Sequence, residues 1–284
     1  MLRLDLATVL LQWSVGGLFF LWVTGERRQV GIGYGWLLRG VYGLMALAAA
    51  VAGVRYHPVV AREASSLAVG LAAGAAFVVS WRRRRAGVLH QREQSQARSA
   101  RITEMTGIDR EAQHFDETVA EFPPRLDLIA PAVGMVGLVA AGIDAGSPAV
   151  TQVVRVVVGA LFLGCVTDAM LLGHWYLTQP GLPRAPLLDL VRWLTWLWPI
   201  ETAVMLLPTG MGSVLTGTID DGWGGMLGWF WIACVATTIV LARVTRAALH
   251  ERAYSAVMAA TGLLYLAIIT GFGQDLVARL ILAG

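Results

Sequence analysis

Apolar residues in this chain run in long stretches broken by short polar turns. The stretches are Leu6–Thr24, Tyr34–Val54, Ser65–Trp81, Leu126–Ile143, Ala149–Leu172, Leu187–Leu207, Met226–Val244 and Ala253–Phe272. Each is close to the roughly 20 residues that carry a helix across hydrocarbon. A membrane barrel would instead alternate polar and apolar positions over segments of about ten residues, and no such segment occurs. The pattern predicts an all-α fold, a polytopic transmembrane helix bundle of about eight spans. The third stretch is short and rich in Gly and Ala, a composition that suits close helix packing. Three parts follow: residues 1–81 with three spans, residues 82–125 as a connection, and residues 126–284 with five spans.

Composition agrees. Of 284 residues, 56% are hydrophobic and 14% charged, where soluble domains run near a quarter charged. Every basic residue is arginine, so no lysine is present to form a Schiff base, and a retinal-binding reading is excluded. Cys165 and Cys234 both fall in apolar runs and read as small packing residues. The first apolar run is long and is followed by no small-residue cleavage site, so it reads as a span.

Arginine sets the expected orientation. Connections carrying Arg27-Arg28, Arg82 to Arg85, Arg184 and Arg243-Arg246-Arg252 alternate with poorer ones: the Asp144 turn and the Asp220-Asp221 loop have no arginine, and the loop near His57 has Arg55 and Arg62. By the positive-inside rule the rich set is cytoplasmic and both termini lie on the outer side. This implies a bacterial-type cytoplasmic (inner) membrane. Within the longest connection, four arginines precede a polar stretch and then an acidic one at Glu111, Asp116, Glu117 and Glu121. Thr106-Gly107-Ile108-Asp109 resembles a helix start, and Phe122-Pro123-Pro124 a stop. The segment reads as a basic surface helix followed by a solvated one, or as a docking surface for other protein subunits. The expected partners are the lipid bilayer and such subunits, with no nucleic acid.

The chemistry concentrates between Arg155 and Glu201. Charges sit inside the apolar runs there, at Arg155, Asp168, Arg192 and Glu201, around the patch Gly173-His174-Trp175-Tyr176. Ionisable groups in hydrocarbon mark either function or a paired lock. At 1.5 Å rise per residue, Asp168 falls ~7–10 Å and Arg192 ~6–8 Å from the inner face. Arg155 and Glu201 fall ~8–10 Å from the outer face. Antiparallel helices therefore predict the pairs Asp168–Arg192 and Arg155–Glu201, with Arg39 at a depth where it competes for Asp168.

Two readings stay open for these residues. As structural ion pairs they hold two helices together. As a pocket at the inner leaflet, Asp168 and His174 exchange protons, Arg39 and Arg192 supply charge and hydrogen bonds, and Tyr176 and Trp193 form flat walls. Such a pocket suits a quinone head group, and the leading expectation is a membrane subunit or accessory protein of an electron-transfer system. The alternatives are a proton-coupled transporter of a small solute, with Asp168 and Glu201 protonating in turn, and a non-catalytic scaffold. His174 and His250 match in depth, which leaves haem b as a lesser cofactor candidate beside quinone. No metal site is expected: Asp220-Asp221 and His57 read as solvated turn residues. The Gly31-x-Gly33-x-Gly35 repeat follows no strand and reads as a turn. Cys-x-x-Cys, Gly-x-Ser-x-Gly and Walker signatures are absent.

Overall fold

The computed structural model describes residues 5–86, 88, 115–116, 118–178, 182–251 and 253–282. Within them the protein is an all-α bundle with no strand. Its long helices are α1 (Leu6–Glu26), α2 (Ile32–Tyr56), α3 (Val60–Arg82), α4 (Ile129–Asp144), α5 (Ala149–Thr178) and α6 (Ala185–Leu206). A short α7 (Met211–Leu215) precedes α8 (Met226–His250) and α9 (Tyr254–Leu282). A 3₁₀ turn, Pro124–Leu128, leads into α4. Seven helices are long and apolar enough to cross a membrane, counting the 3₁₀ turn with α4. The eighth long helix, α6, carries Asp189, Arg192 and Glu201 along its length and is not among those seven. The proposed surface helices of residues 82–125, with their Thr106 cap, lie outside the described residues.

Helices α1 and α5 form the centre. The most apolar window of α5 is 72% buried and that of α1 67%, against 33% for α8 and α9. Their contact depends on side-chain-free surfaces. A Cβ added to Gly16 would collide with the Ala160 backbone, and one on Gly164 with the backbone of Gly16 and Gly17. Small residues facing each other let two backbones approach, which is how helices gain packing where lipid removes the hydrophobic drive. Around this axis α2 packs on α1 and α3, α4 on α3 and α5, and α6 and α9 on α5, with α8 against α9.

Several helices outrun their apolar stretches. Helix α5 continues through His174 and Tyr176 to Thr178, and α9 continues past Phe272 to Leu282. Polar residues at the ends of these helices are thus carried on helical backbone, whose hydrogen bonds are internally satisfied and tolerate burial.

Candidate functional site: buried polar clusters on the central helices

Each turn of α5 presents side chains to a different neighbour. At ~100° per residue, Arg155 and Asp168 point ~140° apart around α5, and Arg192 and Glu201 ~180° apart around α6. Two helices lying side by side cannot satisfy both predicted pairs. The expected Asp168–Arg192 pair is accordingly not formed. Asp168, fully buried, accepts a hydrogen bond from the Tyr42 hydroxyl on α2, and its Oδ2 has no partner. The Arg192 side chain is 63% exposed, 3.7 Å from Asp189, which also pairs with Arg27 at 2.5 Å. Arg39 does not compete for Asp168 either. It makes a bidentate pair with Asp127 at 2.7 and 2.8 Å, under the Phe122 ring at 4.2 Å.

The other residues assigned to an inner-leaflet pocket disperse. His174 is exposed, and its Nδ1 lies 3.0 Å from the Tyr265 hydroxyl on α9. Trp193, 42% exposed, stands edge-on to Phe20 at 5.8 Å. The Tyr176 hydroxyl donates to the Pro183 carbonyl at 2.7 Å. His174, Arg192 and Trp193 are thus exposed and engaged with different neighbours, while Tyr176 tethers the chain after α5. His250 is exposed, with Nδ1 2.7 Å from the Arg246 carbonyl on its own helix. Among the described residues no group of three His, Cys, Asp or Glu could hold a metal ion.

A denser arrangement gathers toward the opposite end of the bundle from Arg27 and Arg184. Glu201 on α6 is fully buried, and neither of its carboxyl oxygens has a hydrogen-bond partner. Its charged neighbours are Asp275 and Arg279 on α9 and Arg155 on α5. The Arg155–Glu201 pair is drawn into one neighbourhood but not joined as an ion pair. Arg155 instead donates to the carbonyls of Val204 and Leu207, at 3.4 and 3.0 Å, where the C-terminal end of α6 leaves carbonyls without helical donors. Arg279 grips the fully buried Asp275 at 2.8 and 2.9 Å and donates to the Arg155 carbonyl at 2.7 Å.

Three amide and hydroxyl groups complete the cluster. The Gln12 amide on α1 donates to the Val156 carbonyl at 2.7 Å, and its Oε1 is unpartnered. Gln274 donates to Thr202 at 3.1 Å, and its Oε1 is likewise unpartnered. Gly159 makes the space: a Cβ there would strike Arg279, Asp275 and Gln12. Four helices therefore converge on two carboxyls and two guanidiniums, balanced in formal charge, with four buried acceptor oxygens left open. Open acceptors at this depth are costly, and they suit a site that takes up protons or hydrogen-bond donors in the course of a cycle.

Sequence reasoning missed Gln274, Asp275 and Arg279 because the last span was ended at Phe272. The signal was present: Asp275 and Arg279 stand at i, i+4 within an otherwise apolar run, the spacing of a helical ion pair. It also missed Asp127, Tyr42 and Gln12.

At the periphery, polar groups close on themselves. Arg62, 1% exposed, binds Asp5, Thr8 and Glu63. His57 pairs with Asp144 at 2.8 Å. Asp221 accepts from the N–H groups of Trp223, Gly225 and Leu227 at 2.8–2.9 Å. Those amides, Gly225 first, hold its carboxyl below the usual range. Compared with known proteins, this chain matches no family model, no curated protein and no solved structure.

Proposed function

We propose that the protein is a proton-coupled transporter of a small solute, with the Glu201–Asp275–Arg279–Arg155 cluster as its proton-accepting centre. The observation that carries this reading is Glu201, buried with both oxygens unpartnered between one carboxyl and two guanidiniums. A carboxyl held this way changes its contacts when it gains a proton. Neutral, it donates to Asp275 or to an open amide oxygen; ionised, it draws on Arg155 and Arg279. That alternation is the two-state element a coupled carrier requires. Asp168 with Tyr42 forms a second protonatable position on the same central helix, about 20 Å along α5 from Arg155.

This reading is preferred to an electron-transfer subunit with a quinone-type pocket, because His174, Arg192 and Trp193 stand apart and exposed. The host membrane is taken to be a bacterial-type cytoplasmic membrane, with the arginine-rich end inside and both termini outside. A role of residues 82–125 in binding other subunits belongs to the same proposal.

Infrared difference spectra of the purified protein between alkaline and acid samples test proton uptake directly. The expected result is a protonated carboxyl band that Glu201→Gln removes in part, and a further loss in Asp168→Asn. A spectrum identical in wild type and Glu201→Gln at every pH refutes the proton-accepting role. Proteoliposomes loaded with a pH-sensitive dye then report which solutes drive proton movement, and that response is expected to vanish in Glu201→Gln.

A further inference from the structure

A cavity of about 50 Å³ lies at the arginine-rich end of the bundle, walled by the end of α1, the start of α2 and the turn before α4. Its lining includes Arg28, Gly31, Gly35, Arg39, Phe122 and Asp127. Two independent features supply donors. One is the start of the 25-residue α2, whose N-cap Gly31 provides no side chain to cap it. The Tyr34 N–H turns back to the Gly31 carbonyl, while the N–H groups of Ile32 and Gly33 have no partner among the described residues. The other is Arg39, 4% exposed, whose Nη1 is buried with no partner although Nε and Nη2 are both taken by Asp127. Gly35 keeps the space over Nη1 open, since a Cβ there would press on that nitrogen.

We propose that this cavity binds a single phosphate-type oxyanion, presented as a lipid headgroup or as free phosphate. Uncapped amides at a helix start, backed by its dipole, form a ready anion site. A buried guanidinium N–H without an acceptor completes it, because leaving such a donor unmet is costly. Arg28 and Arg39 line the cavity with one carboxylate, Asp127, which is already bound to Arg39, and Glu121 balances Arg28 at the rim. Arg28 stands at the rim, 48% exposed and 3.1 Å from Glu121, where it can swing toward an incoming anion. The volume also limits the ligand. A cavity needs roughly 10–15 Å³ to hold a water, so this one has room for a compact polar group. Leu21 and Val30, both buried in the core, form its apolar walls.

The test measures the thermal unfolding midpoint of the full-length protein in a neutral detergent, by tryptophan fluorescence. The probes are phosphatidylglycerol, phosphatidylcholine and inorganic phosphate, at fixed ionic strength. The expected result is a dose-dependent rise with phosphatidylglycerol that exceeds any with phosphatidylcholine. A rise with inorganic phosphate as well identifies a free oxyanion as sufficient; a rise with phosphatidylglycerol alone identifies the lipid. Arg28→Gln, at the surface, is expected to weaken the apparent affinity about tenfold, the equivalent of one charge-assisted hydrogen bond. Gly35→Ala, which fills the space at Nη1, is expected to abolish the response. No rise with either anionic probe overturns the proposal. So does a rise that Arg28→Gln leaves unchanged, and this variant keeps the test decisive if Gly35→Ala does not fold.

Discussion

Removing one member of the Arg39–Asp127 pair is expected to destabilise the protein far more than removing both. The two side chains are 5% and 2% exposed and share two hydrogen bonds of 2.7 and 2.8 Å. Arg39→Met keeps most of the stem that packs under Phe122 but leaves the Asp127 carboxylate buried without a counter-charge. Asp127→Leu leaves the guanidinium in the same position. Breaking a buried pair in this way costs about 3–5 kcal/mol, whereas replacing both partners with apolar groups of similar volume is near neutral. Simple addition would put the double variant at about 6–10 kcal/mol. The expected value is instead below either single, because no uncompensated charge remains. The assay is reversible unfolding in mixed micelles by titration with a denaturing detergent, read by tryptophan fluorescence and helicity for the wild type, both singles and the double. A double variant matching the sum of the singles to within about 0.5 kcal/mol would show that the residues act independently, and would refute the pair as a unit.

Three further outcomes are expected. Tyr42→Phe removes the one donor to the Asp168 carboxyl among the described residues and should cost about 1–3 kcal/mol in the same unfolding titration, with little effect in an Asp168→Leu background. Gly164→Ala should overpack the α1–α5 contact and cost about 1–3 kcal/mol; Gly262→Ala, which meets open space, should be neutral or stabilising by up to about 1 kcal/mol from helix propensity. Asp221 has its carboxyl held below the usual range by the backbone N–H groups after it. Its stabilising contribution is therefore present above the unfolded pKa of about 3.9 and lost as pH falls through the lower folded value. The difference in unfolding midpoint between wild type and Asp221→Ala should be constant near neutral pH and shrink below about pH 4.

The apolar runs carried most of the fold, because a helix in hydrocarbon must be long and uniformly apolar, and that length is visible in one dimension. Unusual charges inside α5 and α6 were visible for the same reason. Their partners were not. Depth can be counted along a helix, but facing depends on the rotation of each helix about its axis, and rotation is set by packing such as that of Gly16 against Ala160. This is why Asp168 meets Tyr42 instead of Arg192. The partner of Arg39 was obscured differently: Asp127 is the second residue of the apolar run Leu126–Ile143 and reads as its edge, whereas it sits in the 3₁₀ turn Pro124–Leu128. In the sequence Arg27 and Arg28 bear on orientation alone, although Arg28 also lines the cavity at the arginine-rich end. His174 stands out through its aromatic neighbours, yet an aromatic cluster at a helix end is equally the pattern of a membrane-surface belt, and His174 contacts Tyr265 of α9, which was not among the residues it was expected to join.

The buried polar groups divide by whether their hydrogen-bonding capacity is used. Arg62 is nearly inaccessible yet bound to two carboxyls and a hydroxyl, and such a group can lock α1 to α3 without changing state. Glu201 is as deeply buried and receives no N–H or O–H donor, its one hydrogen-bonding neighbour being the Asp275 carboxyl. Both cost desolvation, but only the first recovers it through several hydrogen bonds. For Glu201 the recovery falls to the Asp275 carboxyl and to the Arg155 and Arg279 charges around it. Asp168 is intermediate, with one oxygen bound and one open. Within one turn, α1 carries two polar side chains, Gln12 and Ser14, that point to different neighbours. Gln12 reaches the Val156 carbonyl of α5 in the Glu201 half, and Ser14 reaches the backbone carbonyl of Tyr42, whose hydroxyl binds Asp168. A single rotation or shift of α1 would therefore disturb both carboxyl environments together. The bare glycine contact between α1 and α5 offers a surface on which small sliding motions need no side-chain rearrangement.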